Sequence, residues 1–583
     1  MIQRETEVLV IGTGGAGLRA AIAAHEIGVK TLVISKTLAG KAGCTVMAEG
    51  GYNAAIGNKE PEDSTKSHFE DTIASGAGLS NPELVGMLVN EVPERLYDLE
   101  RFGALFSRGE GGLIAQRKFG AQSFQRTCYA GDRTGHEIVM TLLQEVRRQR
   151  IESLNHLLAV DLIVSDHRVY GVLAYDTKHP GFILIKSKAT ILATGGAGRC
   201  WSVTTNSHQT TGDGYGLAAR AGALMCDLEQ VQFHPTGMIY PDSAKGILVT
   251  EAVRGEGGYL YNVTPRLREA IDKNARLRRS GEQPQRLDPD DFGAERFMHH
   301  YDPKRMELSA RDIVTRAINQ EILEGRCTSS GGVLLSVIHL DKDLVQERLS
   351  TTFKQFQDFA NIDITQEPME VAPTAHHIMG GLVIDKECRT SLKSLYACGE
   401  VVGGIHGGNR IGGNALGEGQ VFGAIAGKMA AIEAQNTGGE RVDLLPLAEE
   451  MEREFVLKLK SSEGKFRPYQ IKERLQQVMT AKVGVVRDEG GLKEALEVLD
   501  ELEEELSQAN VKNSYLPFNQ DLIDYFEVRN MLDFSKLVTR SALLRQESRG
   551  AHYRRDFPNR DEENFRKNIF VEGDRIWAEK KWN

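Results

Sequence analysis

The pattern of apolar and polar positions marks out elements before any motif is considered. Val8-Leu9-Val10-Ile11 is a continuous apolar run and reads as a strand buried in a parallel sheet. Leu18 to Ile27, with four alanines, reads as a helix, and Val29 to Ile34 as a second strand. Helical periodicity returns over Pro82 to Phe102 and His136 to Arg148. Strand signals follow at Leu157 to Val164, Val169 to Ala174 and Ala189 to Ala193, and again at Leu395 to Cys398. Glu418 to Ala434 reads as helix, the chain from Arg441 onward as helical and highly charged, and Glu494 to Leu506 as an acidic amphipathic helix with a solvated face. No apolar run reaches the ~18 residues needed to cross a bilayer.

The first strand and helix are joined by Gly12-Thr13-Gly14-Gly15-Ala16-Gly17. In this β-turn-α-β setting, Gly12 allows the tight turn, Gly14 lets backbone approach a pyrophosphate, and Gly17 lets helix and strand pack closely. The helix N-terminus would hold the phosphate charge. The acidic residue expected at the end of the second strand is missing; Ser35-Lys36 stand there. A second nucleotide-domain feature is the strand that ends in Ala193-Thr194-Gly195-Gly196. The small residues of Gly40 to Gly51 suggest backbone lying against a flat ligand.

Composition narrows the classes. At 583 residues, two to four domains are expected. A net charge of −10 argues against nucleic acid as a partner. The seven cysteines are scattered with no C-x-x-C pair, so neither a structural zinc nor an iron–sulfur cluster is expected. Met1 leads almost at once into a strand, leaving no room for a signal peptide; the reading is cytoplasmic, with membrane attachment only through partners.

Ordered motifs then accumulate. They include Ala48-Glu49-Gly50-Gly51, Arg126-Thr127, Asp132-Arg133-Thr134-Gly135, Thr211-Gly212-Asp213-Gly214 and Gln232-Phe233-His234-Pro235-Thr236-Gly237. Further along come Thr250-Glu251-Ala252-Val253-Arg254, Ala310-Arg311-Asp312, Pro373-Thr374-Ala375-His376 and His406-Gly407-Gly408-Asn409-Arg410. Together with the opening fingerprint they resemble the flavoprotein subunit of the succinate dehydrogenase and fumarate reductase family. The resemblance runs from the start to about Glu433, with a weaker match over Arg545 to Pro558.

It implies an α/β fold. A doubly wound, Rossmann-like FAD-binding domain (1–236 and 362–433) would be interrupted by an α+β capping domain (237–361), and followed by a helical domain (434–540) and a C-terminal domain (541–583). A polar, Arg-rich insert at about 265–291, where the family usually has a short turn, reads as a surface excursion of the cap.

The resemblance also implies roles. FAD would be held by the fingerprint residues Gly12, Gly14, Gly15, Ala16 and Gly17, by Ser35 and Lys36, and by Cys44, Thr45, Glu49, Gly50 and Gly51. Ala193, Thr194, Gly195, Asp213, Glu400, Asn414 and Leu416 complete that set. For a flat dianion, Arg410 offers a planar fork and His376 a ring N–H at one carboxylate. His234 and Thr250 would hold the other, with Phe119 packed on the substrate. Arg311 would be the proton donor, with Glu251 and Arg254 as its relay; the bland alternative for these three is a buried structural ion-pair network. Implied partners are an iron–sulfur subunit, together with a membrane-anchor or other electron-carrier subunit.

Three positions depart from the family. Cys44 stands where a histidine commonly carries the covalent flavin, Ala415 replaces a common Ser, and His377 replaces a usual Tyr. With little near Cys44 to activate a thiolate, FAD is expected to be noncovalent. Glu49 resembles the residue of many fumarate reductases, and a nearby carboxylate opposes charge on reduced flavin, so the direction leans to fumarate reduction. Two other readings remain: an L-aspartate oxidase-like flavoenzyme, against which Phe119-Gly120 resembles the dicarboxylate enzymes, and a flavin electron-transfer subunit without its own substrate.

Overall fold

The computed structural model describes residues 1–438, 443–460, 465–511 and 516–582, without the side chains of 457–460. The expected helical onset at Arg441 lies outside the described residues. The chain divides into two compact units, one of residues 1–202, 206–231 and 377–583, the other of 203–205 and 232–376.

The first unit is built on the predicted β-α-β core. Strand β1 (Ile2–Ile11) leads through the glycine turn into helix α1 (Gly15–Glu26), then strand β2 (Thr31–Ser35). β1 lies parallel between β2 and the strand Gly181–Leu192, and Glu152–Asn155 extends the sheet parallel beyond β2. On its other side, Gly181–Leu192 pairs antiparallel with Arg168–Asp176 and, near its end, parallel with Leu395–Ala397. Val8, Leu9 and Val10 are fully buried, as a strand covered on both faces requires. Helix Asn414–Asn436 packs on α1, where Gly423 and Gly427 allow close approach: a Cβ at Gly427 would stand 2.1 Å from the Ala20 carbonyl oxygen. The helices Pro468–Lys482, Glu489–Ser507 and Gln520–Leu544 pack on one another within the same unit. A small sheet joins distant segments in the order 381–382, 225–226, 568–572 and 575–579. Residues 434–540 and 541–583, expected as separate domains, therefore belong to one compact unit with the nucleotide domain.

The second unit, the cap, centres on a four-stranded sheet ordered Val231–Met238, Met369–Ile378, Val333–Ser336, Tyr259–Tyr261. Its core includes Met238, Val253, Leu260, Phe297, Val314, Ile318, Phe356 and Val371. The unit is wider than the expected 237–361. The strands 231–238 and 369–378 belong almost wholly to it, since cutting a strand mid-length would break its ladder.

The Arg-rich insert is also more ordered than a polar excursion. Pro265–Ser280 forms a helix, started by the Thr264 hydroxyl on the Leu267 N–H and stopped at Gly281. Leu267 and Ile271 turn inward onto a small core with Tyr261, Val263, Leu287 and Leu334. Arg278 is bound in a buried pair to Glu367 at 2.7 Å. Two buried apolar positions, Leu267 and Ile271, are enough to seat a helix whose other positions are mostly polar.

Candidate active site

The β1–α1 turn has the form of a dinucleotide cradle. Gly12 adopts φ +119°, and a Cβ there would stand 2.2 Å from the Ala193 carbonyl oxygen. A Cβ at Gly17 would stand 2.1 Å from the Gly12 oxygen, whereas one at Gly14 would meet nothing closer than 3.6 Å. Two glycines thus let strand and helix touch, and the third leaves open backbone at the N-terminus of α1, the end that attracts phosphate. The Thr45 hydroxyl accepts from the Gly15 N–H at 3.3 Å, so the small-residue loop 40–51 returns to this helix end. Thr194, at the end of the neighbouring strand, has a buried hydroxyl oxygen without a hydrogen-bond partner among the described residues. The residues present fit an ADP-containing cofactor such as FAD.

Not every residue assigned to the cofactor is free to serve it with its side chain. The Ser35 hydroxyl is bonded to Thr13 at 3.0 Å. Lys36 lies in ion pairs with Asp213 at 2.8 Å and Glu527 at 2.9 Å, and donates to the Thr211 hydroxyl at 2.7 Å. The paired carboxylates hold its ammonium well above the usual lysine range in spite of burial. Asp213 also accepts from Thr211 and Asn530, at 2.9 and 3.0 Å. Lys36 and Asp213 therefore lock the helical segment to the nucleotide fold, and only their backbone remains for a ligand. Asn414 is likewise engaged, with Asn53 at 2.7 Å, His68 at 2.9 Å and Thr72 at 3.1 Å. Leu416 lies in the first turn of the same helix.

That network contains residues the sequence did not single out. Asn53 donates to the Gly412 carbonyl at 2.8 Å and accepts from Gln122 and Thr127 at 2.9 and 2.7 Å. Gln122 in turn accepts from the Phe119 N–H at 3.0 Å. Asn53 and Gln122 thereby brace two segments at once, the turn after Arg410 and the Phe119 loop. Gly50 lies against the Phe119 ring, and its carbonyl accepts from Arg117. Glu49 precedes it in the same half-buried loop. Gly51 admits no side chain, since a Cβ would stand 2.5 Å from Thr127. Glu400 accepts from the Ile378 N–H at 3.0 Å, and burial pushes its carboxyl up to about 7. His377 stands 3.5 Å from the same carboxylate. Arg410 is buried.

The Cys44 thiol is pushed up to about 12, first by burial and then by Glu400, against the opposing pull of Ser207, Thr210 and Arg199. A thiol held neutral does not attack a flavin methyl carbon. Acid precipitation of the flavin-loaded protein should therefore release all yellow colour to the supernatant. In-gel flavin fluorescence that stays with the full-length chain and vanishes in Cys44→Ser would instead establish a cysteinyl bond.

The cap gathers the remaining candidates. His234 and His376 sit on neighbouring strands with ring centroids 5.4 Å apart. His234 turns Nδ1 to the Thr236 backbone, and His376 turns Nδ1 to the Thr205 hydroxyl at 2.7 Å, which leaves Nε2 as the outward atom of each ring. Burial, with Arg311, His376 and Arg254 nearby, holds His234 well below the usual histidine range, so it is neutral. Thr250 precedes the helix Glu251–Gly255, and its hydroxyl makes no capping bond.

Arg311 binds the Glu251 carboxylate through Nε and Nη2, each at 3.0 Å. Glu251 stays below the usual glutamate range: burial opposes this, but Arg311 and Arg254 overcome it. Arg254 donates through Nη1 to the Glu307 carbonyl at 2.6 Å. Its Nε and Nη2, and Nη1 of Arg311, are buried with no hydrogen-bond partner among the described residues. A closed structural ion-pair network would satisfy those donors. Here buried guanidinium N–H groups are left over beside two imidazoles, a donor set made for an anion.

Known proteins resemble the chain along nearly its whole length. Residues 7–416 match the family model for an FAD binding domain, and 472–580 that for the fumarate reductase flavoprotein C-terminus. The chain is 48% identical to an uncharacterised FAD-dependent oxidoreductase of Methanocaldococcus jannaschii, over 99% of this chain and 98% of that protein. It is 47% identical to a Methanothermobacter marburgensis protein named as part of the CoM/CoB fumarate reductase, over 95% of each. Among solved structures, the E. coli quinol fumarate reductase aligns with a TM-score of 0.89 and 31% identity, over 100% of this chain and 97% of that one.

Proposed function

The chain belongs to the succinate dehydrogenase/fumarate reductase flavoprotein family, and from that premise we propose that its working direction is the reduction of fumarate to succinate. It is an FAD-dependent oxidoreductase. The observation that carries the substrate reading is the cap's surplus of buried donors, Arg254 Nε and Nη2 and Arg311 Nη1, beside His234 and His376. A small dicarboxylate supplies the missing acceptors.

In this reading Arg410 and His376 hold one carboxylate, His234 Nε2 and the Thr250 hydroxyl the other, and Phe119 packs on the flat carbon skeleton. The glycine turn, Thr45, Thr194 and Glu400 hold FAD, which when bound supplies the two-electron chemistry. Arg311 delivers a proton from Nη1 to the alkene carbon next to the one that would take the hydride, and Glu251 restores it. An arginine pKa exceeds ~12, but a carbon gaining carbanion character is a stronger base still, and the neighbouring Arg254 eases the loss of charge.

A noncovalent flavin and the Glu49 carboxylate both favour a low potential, which supports the reducing direction. Electrons are taken to arrive through a separate iron–sulfur subunit. Whether a quinol or a thiol pair of the CoM/CoB kind feeds that subunit is read as a property of the partners. Among the described residues no helix is long and apolar enough to cross a membrane, so attachment to one would run through partner subunits.

The test is fumarate reduction by the FAD-loaded chain with reduced viologen, run beside L-aspartate oxidation. Fumarate reduction without aspartate oxidation is expected. Aspartate oxidation alone would make the protein an oxidase, and neither activity would make it an electron carrier. Arg410→Ala should lower kcat/KM by about one to two decades, since a charge-assisted hydrogen bond is worth ~1.5–3 kcal/mol. An unchanged KM and kcat would remove Arg410 from the site.

A further inference from the structure

The cap carries a second cluster of ligating side chains that none of these roles uses. Glu295, His299 and His300 are all exposed, on the stretch that leads into and forms the one-turn helix Met298–Tyr301. We propose that these three side chains form a binding site for a borderline transition-metal dication, with Zn²⁺ the best fit.

The geometry is near that of a bound ion. One ligand atom from each residue lies within 4.8 Å of the others. His300 Nε2 is 2.8 Å and His299 Nε2 3.5 Å from the same Glu295 carboxylate oxygen. Bonds of about 2.0–2.1 Å in a tetrahedron place ligand atoms about 3.3 Å apart, a spacing that the two histidine–carboxylate distances already bracket, and the gap of at most 4.8 Å between the two ring nitrogens is closed by rotation of exposed side chains.

The surroundings favour the same use. His299 Nδ1 lies 2.6 Å from the Arg296 carbonyl oxygen. An N–H donated there leaves the Nε2 lone pair directed into the cluster, the outer-shell contact that usually orients metal-binding imidazoles. The Glu295 backbone is fixed on both sides by Asn262, whose N–H donates to the Glu295 carbonyl at 3.0 Å and whose side-chain oxygen accepts from the Glu295 N–H at 2.9 Å. The adjacent cation is turned aside: Arg296 lies over the Tyr259 ring at 3.6 Å and binds Glu307 at 2.8 and 2.5 Å.

Two imidazoles and one carboxylate select Zn²⁺, Ni²⁺ or Cu²⁺ over Mg²⁺ and Ca²⁺, which take all-oxygen sets. The open side of the cluster leaves the remaining positions to water or to a donor from another molecule. His300 presents its lone pair at Nε2 once its ring proton sits on Nδ1.

Calorimetric titration of the FAD-loaded full chain with ZnCl₂, beside His299→Ala and Glu295→Gln, tests the site. Expected is one Zn²⁺ per chain bound by the wild type, at least tenfold weaker binding in each variant, and unchanged viologen-driven fumarate reduction in both. Loading with Co²⁺ separates this site from the free cysteines, because it should give d–d bands without a thiolate charge-transfer band. Equal Zn²⁺ affinity in wild type and variants, a thiolate band, or no binding by the wild type would each overturn the proposal.

Discussion

Arg311→Gln should remove nearly all fumarate reduction while FAD content and fold stay intact. Arg311 holds Glu251 through two nitrogens and keeps a third, Nη1, buried without a partner among the described residues. Glutamine retains an amide that can still donate to Glu251, and Arg254 remains beside that carboxylate, so no isolated charge is stranded. What it lacks is a group able to give and recover a proton at that point. General acid–base catalysis contributes ~10²–10⁴-fold, and a donor with no substitute sets the upper end. The readouts are single-turnover reduction of fumarate and the flavin absorbance of the purified variant. A variant that keeps at least half the wild-type turnover would return Arg311 to the role of a structural ion pair.

A second large effect concerns stability. Arg545→Ala should destabilise the first unit by about 3–5 kcal/mol, the usual penalty for removing one member of a buried ion pair. Arg545 is fully buried and divides its guanidinium among three carboxylates, Glu229 at 2.7 Å, Glu547 at 2.9 Å and Asp227 at 3.2 Å. It also donates to the carbonyls of Phe565 and Lys567, both at 3.0 Å. Without it, Asp227 and Glu229 face each other in a dry interior.

The deficit should depend on pH in a definite direction. Burial and Glu229 already raise the Asp227 carboxyl above its ordinary range, with Arg545 opposing. Losing Arg545 raises it further, so the folded variant binds a proton that the unfolded chain releases. Stability then falls as pH rises, and the variant should be closer to wild type at pH 6 than at pH 8. Thermal unfolding at the two pH values measures this. A midpoint within about one degree of wild type at both would show that the cluster carries no net stability. Arg545→Lys, which keeps the charge but cannot fork to three partners, should recover part of the loss.

What could be read in the sequence follows the range of the forces involved. Helix Pro82–Phe102 is found at the bounds its local signals set, because Asn81 caps its start, through the Glu83 N–H at 3.0 Å, and Gly103 ends it at φ +107°. The glycine fingerprint was legible for the same reason, since turn, strand and helix are adjacent in sequence. In the cap, motif matches pointed to His234, His376, Glu251, Arg254 and Arg311, which the structure collects in one unit. The tie between Lys36 and Glu527 was not legible, because its partners lie 491 positions apart and either alone reads as an ordinary surface charge. Asn53 escaped notice for a similar reason; its hold on Gly412 spans 359 positions. The cap's unit runs past the expected 237–361 because strands 231–238 and 369–378 carry their pairing partners far away in sequence, and composition does not change where they begin.

The small sheet that joins Met225-Cys226 to Gly381-Leu382 and to Asn568–Glu572 has a consequence for how the protein is made. Met225 leaves the ribosome long before its partners exist. At ~5–20 residues per second, the roughly 340 residues up to Phe570 take about 17–70 s to synthesise. For that interval a strand destined for a sheet interior is an open edge on a nascent chain, next to the buried carboxylates Asp227 and Glu229 that still lack Arg545. The glycine-turn domain can begin to form early, but its sheet order and charge balance close only when the distal segment arrives. The ladder of this sheet and the charge balance around Arg545 are therefore completed only late in translation.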